Sequence, residues 1–331
     1  IIDWSSLIFT FVFQFFLFRK GHHFVKTFIN FSGFFVYFGL FLFLIIIVSE
    51  HYIELRNSLT EVILLENIFL KSNISPLIAV TGTMFAYFSI IILNIGDFSR
   101  YASSENELKK GNLSLILNVI LFSILALLIT LGADIILKSN LITTERLLTN
   151  PTDIIGKINN TYLTTIALIF ILVASLSTNL IANYIPSQNS LLNFLPKQLN
   201  LNSSGFIIIL LGLIISMFWL PVLSQVGILS LLDTLGAFFG PIFGLIIADY
   251  YVISKKNIIN KDIFSSNKES AYIYSNGWHI KAVYSVLIGF IFAASTIWNL
   301  KLNFLQSFSW ILGAFVTFLV YYLLSSKKIN E

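Results

Sequence analysis

The feature that most constrains this chain is the recurrence of long apolar runs between short polar connections. Runs at 3–19, 27–49, 76–98, 112–137, 162–185, 204–222, 226–253, 280–299 and 307–325 approach or exceed the roughly 20 residues that cross a hydrocarbon core as a helix. In lipid every backbone N–H and C=O needs an internal partner, so runs of this kind fold as helices. Segments of about ten residues with alternating hydrophobicity, the pattern of a membrane barrel, are absent from the sequence. The chain therefore reads as an all-α, polytopic membrane helix bundle, a single transmembrane domain over 1–331. Its composition is 56% hydrophobic and 11% charged, against about 25% charged in soluble proteins.

The connections alternate in charge. Arg19, Lys20 and Lys26 flank the first; Arg100, Lys109 and Lys110 lie in the third; Lys197 lies in the fifth; Lys255, Lys256, Lys261 and Lys268 fill the seventh; Lys327 and Lys328 follow the last span. The second carries Glu50, Glu54, Glu61 and Glu66 instead. By the positive-inside rule the odd connections and the C-terminus are cytoplasmic, which places Ile1 outside. The start on Ile1 reads as a cut N-terminus, and an odd number of further helices before it would bring both termini inside. Residues 51–75 are too charged to span and read as a short helix outside the membrane. Trp219, Leu220 and Pro221 read as a tight outer hairpin.

The net charge of +4 does not point to nucleic acid, because Lys and Arg sit between spans and form no basic face. With no Cys there is neither a disulfide framework nor a thiolate metal site. His22, His23, His51 and His279 fall in loops or at helix ends without metal-ligand spacing. No nucleophile elbow, P-loop or intramembrane His–carboxylate pair is present, so the chain does not read as an enzyme.

Polar residues inside the apolar runs are then the informative ones. The stretch 167–200 begins as an apolar helix and places Ser175, Ser177, Thr178, Asn179 and Asn183 where other spans carry Phe, Leu and Ile. At 100° per residue, Ala174, Ser177 and Thr178 share one face, and Asn179 and Asn183 share a stripe roughly opposite. Unsatisfied polar groups are costly in hydrocarbon, so these face protein or a cavity. Hydroxyls on one side suit a small cation, and amides on the other suit a planar hydrogen-bonding solute. The plain alternative is interhelical glue.

Within 76–98, Gly82, Gly96, Thr81, Thr83, Ser89 and Asn94 suit an interrupted helix, or close helix packing. Asp97 and Arg100 follow at the boundary as a helix cap and ion pair. Gly236, Gly240, Gly244 and Ala248 recur every four residues around Pro241, a stripe that admits a neighbouring backbone. Asp233 lies near the outer end of that helix, and Asp249 precedes an aromatic pair, Tyr250 and Tyr251, at the cytoplasmic end. Asp134 and Lys138 form an ordinary i,i+4 pair.

Four stretches in order, IILNIGDFSRYA (91–102), SLSTNLIANYIPSQNSLLNFLPKQLN (175–200), GPIFGLIIADYYVISKK (240–256) and AYIYSNGWHIKA (271–282), resemble the nucleobase cation symporter-1 family, permeases for hydantoins, allantoin, uracil, cytosine and purines. The likeness covers almost the whole chain. It implies a leucine-transporter-type fold of two inverted five-helix repeats among twelve helices, of which the nine runs match helices four to twelve. It also implies that Ala174, Ser177 and Thr178 hold sodium in a sodium-coupled member, and that Asn179 and Asn183 bind the substrate ring. Where the family commonly stacks a Trp on the substrate this chain has Phe88, with Tyr87 beside it. The first and third helices of the family supply the rest of both sites, so the residues here form half of each.

The resulting expectation is a secondary transporter of a nucleobase or related cyclic amide, working by alternating access with Na+ or H+ as coupling ion and no other cofactor. It would be a monomer in the bilayer of the plasma membrane. The alternatives are a membrane sensor or scaffold that has kept the fold and lost transport, and an ion channel.

Overall fold

The structure, a computed structural model, describes residues 4–19, 22–64, 69–139, 161–226, 228–263, 265, 270–275 and 277–326. Lys20, Glu66, Lys268, Lys327 and Lys328 lie outside the described residues. Among the described residues eight helical segments are long and apolar enough to cross a membrane, one for each of the last eight runs. The first run forms a 16-residue helix, α1 (Trp4–Arg19), only about 24 Å long at 1.5 Å per residue.

The helices group into two compact units. The first comprises Ile1–Leu70 and Asp97–Met217. It contains α1, α2 (His22–Ile63), α5 (Glu105–Ser139), α6 (Thr161–Asn179), a π-helical turn (Leu180–Tyr184), α7 (Ile185–Phe194) and most of α8 (Leu201–Val226). Its core has two centres. Val25, Leu180, Tyr184 and Ile209 pack together with Phe11 and Phe15 of α1, while Ile47, Leu55 and Leu131 join α2 to α5. Phe35 stacks on Phe170 with centroids 4.2 Å apart. α2 continues beyond its apolar run but bends at His51, whose φ of −132° and ψ of 34° interrupt the helix. Of the 51–75 stretch expected to form a short helix, Tyr52–Ile63 is helical with its own direction, while 71–75 instead open the next helix, Lys71–Leu93.

The second unit comprises Lys71–Gly96 and Phe218–Glu331. It contains α3 (Lys71–Leu93), α9 (Ile228–Ile247), a second π-helical turn (Ala248–Ile253), the short α10 (Asn260–Ile263), α11 (Ile280–Trp298), a 3-10 segment (Leu300–Phe308) and α12 (Ser309–Ser326). A five-residue helix, α4 (Ile95–Ser99), bridges the division in sequence. The glycine stripe of α9 lies against α12: a Cβ on Gly240 would overlap the Trp310 carbonyl and one on Gly244 the Ala314 carbonyl. Only a residue without a side chain lets two backbones approach this closely, and in lipid such contact is the main source of helix association.

One expectation needs correction. α8 runs through Trp219, Leu220 and Pro221 to Val226, and α9 begins at Ile228, so no hairpin forms at Pro221. A lone proline without a neighbouring Gly, Asn or Asp bends a membrane helix without reversing it. The 76–98 run is interrupted at Asn94, between α3 and α4, one of the residues that suited an interrupted helix. Gly82 lies within continuous helix, where its missing side chain admits the Ser307 carbonyl.

Many large apolar side chains remain exposed, among them Phe34 at 73% and Phe315 at 59%. On a soluble protein such patches would drive association; on apolar spans they are the surface presented to lipid chains.

Candidate functional site

The polar helix is built as one continuous rod with a change of pitch in the middle. Leu176, Leu180 and Tyr184, at successive fourth positions, are buried and anchor it. Ala174, Ser177 and Asn179 are half-buried, and Thr178 and Asn183 exposed. The Ser177 Oγ donates to the Ala174 carbonyl at 3.0 Å. These two oxygens are therefore close enough to enter one coordination shell, with the Thr178 hydroxyl on the next residue.

On the other side the Asn183 Nδ2 donates to Asn179 Oδ1 at 2.7 Å. The amides thus form a coupled pair in which, among the described residues, the Asn179 N–H2 and the Asn183 carbonyl oxygen have no other side-chain partner, a donor and an acceptor side by side. The π turn underlies this alignment. In an α-helix residues four apart are offset by about 40°. The i→i+5 closure over Leu180–Tyr184 puts more residues in each turn and shrinks that offset, bringing Asn183 over Asn179 and Tyr184 over Leu180. Its local cause is Pro186, buried at the start of α7, which lacks the N–H that an α-turn would donate to the Ala182 carbonyl.

Tyr87 and Phe88 belong to the second unit and the other five candidate residues to the first. On α3 the two rings meet edge to face at 5.1 Å, and both are exposed, while Thr83, Ala86 and Ser89 on the other side are buried. Phe88 thus offers a free ring face from a helix held by its small and hydroxyl residues.

Asp233 is 4% exposed. Its Oδ1 accepts from the Thr83 hydroxyl at 3.0 Å and its Oδ2 from Gln306 Nε2 at 3.1 Å, while the Ser309 hydroxyl donates to its backbone carbonyl at 3.0 Å. It ties α3, α9, the 3-10 segment and α12 together. At the other boundary the expected Asp97–Arg100 pair forms at 2.6 Å, and Asn189 Nδ2 adds a bond to Asp97 Oδ1 at 3.0 Å. Sequence reasoning missed Asn189; its only signal was a third asparagine past the polar stretch. Beside Asp97 lies a cavity of about 450 Å³ within the first unit, with Lys26, Asn30 and Tyr101 among mostly apolar lining residues. The Asp134–Lys138 pair forms as expected, at 2.6 Å.

These features define a polytopic membrane protein with polar side chains inside its spans. Residues 3–325 match the family described as permeases for cytosine/purines, uracil, thiamine and allantoin, and the chain belongs to that family, which is one of transporters and not of enzymes. It is 30% identical over 206 residues to the purine-uracil permease NCS1 of Arabidopsis thaliana, covering 62% of this chain and 33% of that protein. It is 27% identical over 246 residues to the allantoin permease of Bacillus subtilis (strain 168), covering 74% and 48%. The chain thus spans a third to a half of the length of these relatives. Among solved structures it resembles Mhp1, a nucleobase-cation-symport-1 family transporter, in a closed conformation with bromovinylhydantoin bound. The TM-score is 0.67 at 17% identity, over 96% of this chain and 66% of that one. The inward-facing conformation of Mhp1 gives 0.62 over 96% and 65%. The fold is accordingly the all-α, inverted-repeat membrane fold of that transporter.

Proposed function

We propose that this chain is part of a secondary transporter that moves a nucleobase or related cyclic amide by alternating access, coupled to Na+ or H+. The observation that supports this best is the Asn179–Asn183 amide pair, held in line by a π turn inside a membrane span. A cyclic amide presents a donor and an acceptor side by side on a flat ring. The donor of Asn179 and acceptor of Asn183 match that pattern, and Phe88, with Tyr87 beside it, stands at the position where the family's pattern has a ring that stacks on the solute. Ala174, Ser177 and Thr178 offer oxygens for a sodium ion. If cation and solute each bind one conformation better than the other, each raises the affinity for its companion, which is symport.

The protein acts as a monomer, one transmembrane domain in the plasma membrane with its C-terminus cytoplasmic. Uptake of a panel of labelled bases and hydantoins into proteoliposomes, with and without a sodium gradient, tests substrate and ion together. Asn183→Ala abolishes uptake while leaving expression and thermal unfolding intact; uptake at the parental rate would remove Asn183 from the site.

A further inference from the structure

At the end of α9, where the helix widens into the π turn Ala248–Ile253, a cavity of about 200 Å³ lies within the second unit. It is lined by Leu245, Ile246, Asp249, Tyr250, His279 and Tyr321. The Tyr321 hydroxyl donates to Asp249 Oδ1 at 2.6 Å; among the described residues no second hydrogen bond reaches the carboxylate, so Oδ2 is available to a ligand. Apart from Leu245 and Ile246, the other lining residues are rings. His279 stacks on Tyr274 at 3.9 Å and meets Tyr321 edge-on at 5.5 Å, and Tyr250 meets Tyr251 edge-on at 4.9 Å. Burial, the largest influence, holds His279 below its ordinary pKa; the Asp249 carboxylate pulls the other way and nearby Lys281 adds to the lowering, so the net direction favours the neutral imidazole.

One carboxylate among aromatic faces and aliphatic walls suits an ammonium or quaternary ammonium group, attracted by charge and by the ring quadrupoles. A calcium ion would need six or more oxygen ligands, which the cavity does not offer. Its position indicates the source. α9 leaves its apolar run here, and tyrosines at the end of a span lie at headgroup depth. Lys255 and Lys256 follow in a turn with left-handed φ of 48° and 64°, the Lys256 ammonium 5.4 Å from the centre of the Tyr251 ring, and Lys281 acts electrostatically on His279, so cations follow the cavity-lining residues in the chain. A headgroup with an ammonium at one end and a phosphate at the other matches that alternation.

We propose that this cavity binds the ammonium end of a zwitterionic phospholipid headgroup, with Asp249 as counter-ion and the flanking lysines meeting the phosphate. The test is thermal unfolding of the purified protein in detergent, titrated with phosphatidylethanolamine, phosphatidylcholine or phosphatidylglycerol at equal mole fraction, and separately with free choline and ethanolamine. The zwitterionic lipids raise the midpoint by several degrees more than phosphatidylglycerol, and the free amines do not. Asp249→Asn keeps an acceptor for Tyr321 and so keeps the fold, but loses the difference between lipids; Tyr250→Leu, which removes a ring and no charge, reduces it. Equal shifts with phosphatidylglycerol, or an undiminished difference in both variants, would overturn the proposal. So would a shift reproduced by free choline alone, which would assign the cavity to soluble ammonium compounds. The readout is binding, so its outcome is independent of whether nucleobase uptake is found.

Discussion

Asp233 illustrates why a charged residue inside a span must be read with its partners. Its position in an apolar run allowed a place in the permeation path, yet three polar side chains from different elements close around it. Removing the carboxylate would leave the buried Thr83 hydroxyl and Gln306 amide without their acceptor. Asp233→Ala is therefore expected to lower unfolding stability in detergent by about 2 kcal/mol, and Asp233→Asn, which keeps one acceptor, by clearly less. Uptake per folded molecule should change little in either variant; a stable but inactive Asp233→Asn would return this residue to the transport path. At this scale the sequence showed which residues break the apolar pattern. It could not separate Asp233, held by three partners, from Asn183, exposed and, among the described residues, bonded to Asn179 alone, because the difference lies in what other helices bring.

Among elements, the polar helix shows the same division. Its face assignment followed from 100° spacing, and the Ser177–Ala174 and Asn179–Asn183 contacts agree with the two stripes. The π turn did not follow, since periodicity assumes a constant pitch. Pro186 was the one local sign of it. Pro186→Ala would restore the N–H toward Ala182 and favour regular α-helix through 180–184, rotating Asn183 out of line with Asn179. The expected result is unchanged or higher thermal stability with weaker substrate binding. Losing one aligned amide bond, on the order of 1 kcal/mol, weakens apparent affinity roughly five-fold, measured as the concentration for half-maximal uptake. Unaltered affinity would mean the turn plays no part in binding. The α3–α4 break at Asn94 is a parallel case: glycines marked the run as interruptible, but packing of Gly82 on Ser307 kept the helix whole there.

For the whole molecule the strongest expectation is orientation. The absence of Cys makes single introduced cysteines clean reporters. Glu54 and Lys109 are both exposed on described helices, one in an acidic connection and one in a basic connection. Glu54→Cys should react with a membrane-impermeant maleimide from outside intact cells, and Lys109→Cys only after permeabilisation. The reverse pattern would invert the topology and place Asp249 and its ring-lined cavity on the outer face.

From sequence alone came the all-α membrane fold, the spans and the polar residues that interrupt them, because in lipid each backbone must satisfy its own hydrogen bonds and that demand is met locally along the chain. Only the tertiary structure decided which glycines admit a neighbouring backbone and which buried polar groups are already partnered. Those outcomes depend on contacts between residues far apart in sequence, where the gain from a close carbonyl or a paired carboxylate outweighs what any one segment prefers by itself.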